Sequence, residues 1–190
     1  TSKNYSFSFR HYLVNKRKHM REIIQKIFEE SIAVKKGFVD NNLDLIIKGA
    51  QKLAQCVDSG HKILIFGNGG SAADAQHIAA EFVNRFKIER QPLAALALTT
   101  DTSVITSIGN DYHFDEIFAK QVMALGQKGD IAWGISTSGN SANVIKAIKA
   151  ASKIGLSTIG MTGRAGELAE CVDLVFAVAS DTTARIQEIG

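Results

Sequence analysis

Over residues 16–36, apolar side chains fall at Ile23, Ile24, Ile27, Phe28, Ile32 and Val34, a helical spacing that predicts an amphipathic helix. Gly37 follows, a residue that ends or kinks helices. A second helix is expected over about 41–57, where Leu43, Leu45, Ile46, Ile47, Ala50, Leu53, Ala54 and Val57 are apolar and Asp58-Ser59-Gly60 supplies a stop. Both stripes are wider than burial on one sheet face requires, which predicts helix packing between subunits. Beyond Gly60 the rhythm changes. Short apolar runs at 63–66, 93–98, 131–135, 158–161 and 174–178 alternate with helical stretches at about 72–86, 114–124, 142–153 and 167–169. Continuous apolar strands separated by helices predict a parallel sheet covered on both faces. Five such strands with right-handed crossovers make an α/β, doubly wound, flavodoxin-like sheet, whose ligands bind where the strand order reverses. The expected organisation is an N-terminal helical segment over 1–60 and an α/β domain over 61–190.

Composition narrows the classes. Of the 190 residues, 45% are apolar and 22% charged, ordinary values for a globular domain that folds on its own core. The net charge is only +3. A basic cluster at Arg10, Lys16, Arg17, Lys18 and Arg21 reads as a solvated helix face, because no stacking aromatics are interleaved with it. No nucleic-acid partner is expected. Cys56 and Cys171 lack CxxC spacing and read as small buried hydrophobes in a reducing compartment. No apolar run approaches a membrane span, so the expectation is a cytoplasmic protein without a membrane partner.

Two strand–loop–helix units carry the candidate chemistry. The first loop, Gly67-Asn68-Gly69-Gly70-Ser71-Ala72, satisfies the dinucleotide pattern in its Gly-x-Gly-x-x-Ala form, a weak signal alone. Asp101, the nearest match to the acidic partner of that pattern, comes too late and sits in an expected loop at 99–103. A plain tight turn with Ser71 as N-cap and Asp74 three residues on fits equally. The second loop, Ser136-Thr137-Ser138-Gly139-Asn140-Ser141, places hydroxyls ahead of a helix N-terminus, where backbone N–H groups and the helix dipole favour an anion. It has no Gly-Lys-Ser/Thr and is not a nucleoside triphosphate loop; an uncharged cradle suits a monophosphate ester. On the helix after the first loop, His77 and Glu81 stand four residues apart and share a face.

The run from Gly67 to Glu81, with Gly109-Asn110-Asp111, the segment from Gly134 to Ser141 and Thr183-Ala184-Arg185-Ile186-Gln187-Glu188, resembles the phosphoheptose isomerase family of the sugar-isomerase (SIS) fold. The resemblance implies a homotetramer that interconverts sedoheptulose 7-phosphate and D-glycero-D-manno-heptose 7-phosphate for bacterial heptose and lipopolysaccharide core synthesis. It places substrate-binding residues at Asn68, Gly69, Gly70, Asn110, Asp111, Ser136, Thr137, Ser138, Ser141 and Gln187, to which Ser71 of the first loop is added. It places zinc ligands at His77, Glu81 and Gln187, one ion per subunit, and makes Glu81, with His77, the catalytic pair. The fourth zinc position, a His, would fall eight residues beyond Gln187, past Gly190, and the expectation is a last helix cut short there. Ala184 stands where some relatives carry an acidic residue. An enediol isomerisation needs a base, an acid and a carbonyl-polarising group, roles that Glu81 and a zinc ion can fill. The rival reading is a non-catalytic tetrameric scaffold that binds a replication initiator, a similar family in which the position of Glu81 is not acidic. A weaker third is a sugar-phosphate-sensing domain, without a DNA-binding segment to support it.

Overall fold

The computed structural model describes residues 17–164 and 166–189. Arg10, Lys16 and Gly190, singled out above, lie outside that range. The elements run α1 (Arg17–Asp58), β1 (Ile63–Gly67), α2 (Gly70–Val83), β2 (Ala95–Ala97), α3 (Thr102–Asp111), a 3-10 turn (Phe114–Glu116), α4 (Ile117–Leu125), β3 (Ile131–Ser136), α5 (Ala142–Lys153), β4 (Ser157–Thr162), α6 (Glu167–Cys171), β5 (Leu174–Ala177) and α7 (Thr183–Gln187).

All five strands are parallel, in the order β2-β1-β3-β4-β5. The chain moves outward from β1 to β2 and then returns past β1 to lay down β3. The reversal therefore falls between β1 and β3, the strands that precede the two candidate loops, as the doubly wound fold requires. Every residue of β1 is buried. Ile63 and Ile65 join a core with Ala75, Ala79, Ile159 and Ile186 under α1, α2 and α7. Leu64 and Phe66 face the opposite core of Ile108, Phe118, Val122, Val144 and Ile148. Two apolar faces on one strand explain why it reads as an unbroken apolar run. Phe66 stacks on Phe118 with ring centroids 5.4 Å apart.

Two expectations for the helices need correction. The predicted pair over 16–36 and 41–57 is one continuous helix, α1, of 42 residues. A single glycine in a helix interior costs only about 1 kcal/mol relative to alanine. Here the neighbours offset that cost: Asn41 Nδ2 donates to Gly37 O at 2.7 Å and Asn42 Nδ2 to Phe38 O at 2.8 Å. Asn41, read as the start of a new helix, instead bonds back one turn within the old one. The expected loop at 99–103 is also cut short, because α3 begins at Thr102. Asp101 caps α3 by accepting from Val104 N at 3.0 Å. Asp101-Thr-Ser-Val104 with Ile105 and Ile108 was the overlooked signal of a capped helix.

The N-terminal ends of β1 and β3 are pinned by the buried Asp130. Its carboxylate accepts from Lys62 N at 3.0 Å, Lys62 Nζ at 2.6 Å and Gln127 N at 2.9 Å. Burial pushes this carboxyl up, but the bonds from Lys62 and Gln127 outweigh it and hold the group below its ordinary value of 3.8. A depressed carboxyl stabilises the fold above its unfolded value and loses that contribution as pH falls through the folded one. Asp130→Asn is expected to lower unfolding free energy at pH 7 by about 2 kcal/mol. Urea unfolding from pH 7 to pH 2 should show the gap to wild type closing below the ordinary carboxylate value; a pH-independent gap would contradict the assignment.

Candidate functional site

Sheet pairing sets the two loops side by side, since Gly67 at the end of β1 is level with Ile135 of β3. Gly67 has no room for a side chain: a Cβ there would stand 2.7 Å from Ser71 Cβ and 2.8 Å from Ile135 O. Gly69 adopts φ +56°, left-handed backbone that glycine takes without strain, and forms the N-cap of α2 without a side-chain bond. Ser71 is thus not the cap. It is buried two residues past the cap, its Cβ packed towards Gly67. The cap moves forward because the loop bends at Gly69, which leaves Ser71 already helical.

The second loop is knitted by its own hydroxyls. Ser136 Oγ lies 2.8 Å from Ser141 Oγ and 3.4 Å from Ser138 Oγ, and Ser138 Oγ accepts from Asn140 N at 3.2 Å. Gly139 turns the chain at φ +68°. Residues after β4 buttress the loop: Gly163 N donates to Thr137 O at 3.1 Å and Leu168 N to Gly139 O at 2.9 Å. Glu167 N donates to Asn140 Oδ1 at 3.0 Å. Ser141 is the N-cap of α5 and makes no side-chain cap bond, so its hydroxyl belongs to the loop network rather than to the helix end.

The loops are joined directly by a residue that the sequence did not single out. Asn68 Nδ2 donates to Asn143 Oδ1 at 2.9 Å, and Asn143 Nδ2 donates back to Asn68 Oδ1 at 2.9 Å. Asn143 Oδ1 also accepts from Val144 N at 2.9 Å. Asn143 is only 3% exposed, while Asn68 is half-buried. A polar residue in the buried set of α5, beside Val144 and Ile145, was the available signal.

Gln187 also belongs to this end of the sheet. Its carboxamide lies over Gly70, where any Cβ would collide with Nε2. The short helix carrying it is tied to α1: Ser31 Oγ donates to Glu188 Oε2 at 2.5 Å, and Arg185 Nη1 donates to the same oxygen at 2.8 Å. His77 and Glu81 lie further along α2, with Nε2 and Oε1 3.9 Å apart and exposures of 74% and 34%. At about 1.5 Å per residue, they follow Gly70 by roughly 10 Å and 16 Å along the axis, on the same face. Beside them, burial pushes the Asp74 carboxyl up, against the pull of His77. Asn110 and Asp111 end α3 in exposed positions, Asn110 Nδ2 donating to Asp111 Oδ1 at 2.8 Å.

Thus Asn68, Gly69, Gly70 and Ser71 come together with Ser136, Thr137, Ser138 and Ser141 at the switch point, with Gln187 above them. His77 and Glu81 form a separate pair two to three turns down α2. For zinc, that pair offers one imidazole and one carboxylate. Among the described residues no group of three or more His, Cys, Asp or Glu is placed to hold a metal ion. Gln187, turned onto Gly70, does not join the pair.

A switch-point cradle of this make on a 2-1-3-4-5 sheet defines the class, and the sequence model of the SIS domain matches residues 26–163. A phosphoheptose isomerase of Thermodesulfovibrio yellowstonii is 59% identical over 166 residues, 87% of this chain and 83% of the relative. Two solved structures of phosphoheptose isomerases superpose closely. That from Neisseria gonorrhoeae is 48% identical with TM-score 0.83, covering 89% of this chain and 92% of its own. That from Francisella tularensis is 39% identical with TM-score 0.85, covering 89% and 91%. The chain belongs to the phosphoheptose isomerase family within the SIS domain proteins.

Gly67→Ala should disturb β1 and the cradle together, because the new methyl meets backbone of β3 that cannot move aside. A loss of about 2 kcal/mol in urea unfolding is expected; wild-type stability would show that the loops have more room than the structure gives them.

Proposed function

We propose that this chain isomerises sedoheptulose 7-phosphate to D-glycero-D-manno-heptose 7-phosphate, for bacterial heptose and lipopolysaccharide core biosynthesis. The observation that carries the reading is that one helix, α2, starts at the cradle and carries the His77–Glu81 pair. Gly70 at the start of α2 lies at the hydroxyl-lined cradle, and Glu81 stands on the same face three turns on. In this reading the phosphate rests against Ser136, Thr137, Ser138 and Ser141 and the N–H groups at the starts of α2 and α5. The backbone of the second loop is held in place by bonds from Gly163, Glu167 and Leu168, which limits the entropic cost of ordering it on binding. The reacting carbons lie at the far end of the sugar from its phosphate, so the base must stand away from the cradle.

The Glu81 carboxylate takes a proton from C1 of the ketose and the C1–H electron pair forms the enediol double bond, while O2 gains a proton. The proton then returns at C2 as O1 gives up its own, which leaves the aldehyde at C1. His77, 3.9 Å from Glu81, would exchange protons with the sugar oxygens. Asn110, Asp111 and Gln187 would accept from or donate to sugar hydroxyls. A zinc ion, when bound, would be held by His77 and Glu81, the two ligands this chain sets side by side, and would supply Lewis-acid polarisation of the carbonyl. The presence of Glu81, and the isomerase name of the matching relatives, favour an enzyme over a protein-binding scaffold.

A homotetramer is part of the same proposal. Along α1, Met20, Ile23, Ile24, Ile27, Phe28 and Ile32 are 37–65% exposed, a patch of the kind that covers itself with another subunit. No helix among the described residues is long and apolar enough to cross a membrane.

With sedoheptulose 7-phosphate, the wild-type protein should form an aldose phosphate, and Glu81→Gln should reduce kcat at least about 100-fold with the circular dichroism spectrum unchanged. A fully active Glu81→Gln protein would remove the proposed base; no turnover by wild type would remove the isomerase. Metal analysis should find zinc in the wild type and less in His77→Ala, and equal content in both would take His77 out of the ligand set. In light scattering, the wild type should have the mass of four copies and Phe28→Glu combined with Ile32→Glu a smaller one. A monomeric wild type would leave the α1 face without its proposed cover.

A further inference from the structure

We propose that Asn143 is a positioning residue for the phosphosugar: it fixes which way the Asn68 carboxamide faces at the switch point. The activity readout of this proposal rests on the isomerase reading above, while its structural readout does not. The argument follows a chain of donors and acceptors. Val144 N–H, in the first turn of α5, needs an acceptor and finds one at 2.9 Å, so that atom of the Asn143 side chain must be the oxygen. The other end of the same carboxamide is then the NH2 group, and it meets Asn68 at 2.9 Å, where the atom facing it must be Oδ1. The remaining contact, Asn68 Nδ2 to Asn143 Oδ1 at 2.9 Å, closes the pair and uses the second lone pair of that oxygen. No flipped arrangement of either group satisfies all three bonds.

Asn68 retains one N–H and one lone pair. Because Asn68 is half-buried beside the loop of hydroxyls, the direction of those two groups is a direction relative to the ligand. The fixed backbone polarity of α5 is thereby passed through Asn143 to a residue of the other loop. Asn143 itself is 3% exposed and is not placed to meet the substrate; its effect comes through Asn68.

Asn143→Asp tests this with almost no change in shape. The ionised carboxylate has two acceptors and no donor, so one oxygen faces Asn68 Oδ1 and the reciprocal pair cannot close. Protonation supplies an O–H where asparagine supplied N–H, and the pair closes again. At neutral pH the variant should show KM for sedoheptulose 7-phosphate raised at least about tenfold, with a smaller change in kcat. The ratio of variant to wild-type KM should fall towards one as pH is lowered, whereas the ratio for Asn143→Ala should not depend on pH. Adding Asn143→Ala to Asn68→Ala should cost no more in kcat/KM than Asn68→Ala alone. A KM for Asn143→Asp within twofold of wild type, a ratio indifferent to pH, or additive losses in the double variant would each overturn the proposal. The second readout needs no substrate: the Asn68 side-chain NH2 resonance should shift in Asn143→Asp and return towards its wild-type position on acidification. If wild type turns nothing over, the isomerase reading fails while this titration still decides the role of Asn143; a resonance unmoved by Asn143→Asp sinks the proposal alone.

Discussion

The pairing of β1 with β3, from Ile63 opposite Ile131 to Gly67 opposite Ile135, is the constraint on which everything at the site depends. These strands are far apart in sequence, and their parallel ladder makes their carboxyl ends level. Side chains secure both ends of the seam. Asp130 joins the backbones at the bottom through Lys62, and Asn68 meets Asn143 at the top. Between them the two strands are buried at every residue but the half-buried Trp133, so the seam cannot slide without exposing apolar surface on two faces at once. Gly67 lets the turn after β1 come close enough to β3 for the clasp above it to form.

The cradle is built from hydroxyls and amides, without a cation in either loop. That choice has a physical sense for a phosphosugar that must leave after each turnover. Oriented neutral donors at helix N-termini hold a phosphate through several bonds of moderate strength, whereas lysine or arginine would add a charge-assisted bond and slow release. The buttressing of the loop by Gly163, Leu168 and Glu167 keeps these donors aimed before any ligand arrives.

The long first helix serves two purposes. One side of α1 covers the sheet through Phe38, Leu45 and Leu53, while its N-terminal half keeps large apolar groups on the surface. The same helix holds α7 through Ser31, Glu188 and Arg185, and α7 places Gln187 over Gly70. The exposed apolar face of α1 and the residue over Gly70 are thus linked through the bonds between α1 and α7. Where an isolated α1 would have too little to pack against, the bonds to α7 and the cover of the sheet hold it in place.

Much of this was legible in the residues. The unbroken apolar runs 63–66 and 131–135 could only be strands buried on two faces, and alternation with helices implied a parallel sheet with its site at the strand ends. The two loops and the His77–Glu81 pair followed from local spacing, which the chain carries without folding, and the family resemblance from whole motifs. Other features were not legible, for identifiable reasons. Gly37 looked like a break because propensity counts the glycine and not the side-chain bonds of Asn41 and Asn42 that offset it. Ser71 looked like a cap because spacing does not say that the chain bends at Gly69, right after Gly67 packs against β3. Asn143 passed unnoticed because its partner is 75 residues away, and Gln187 was known only as a motif until α7 was seen lying on Gly70. Hydrophobic period and loop spacing determined, from the sequence alone, which segments become strands and which polar turns stand at their carboxyl ends. Which polar side chains meet across the reversal of the sheet was decided only in three dimensions, because a hydrogen bond is set by the distance and direction between groups, and sequence separation says nothing about either.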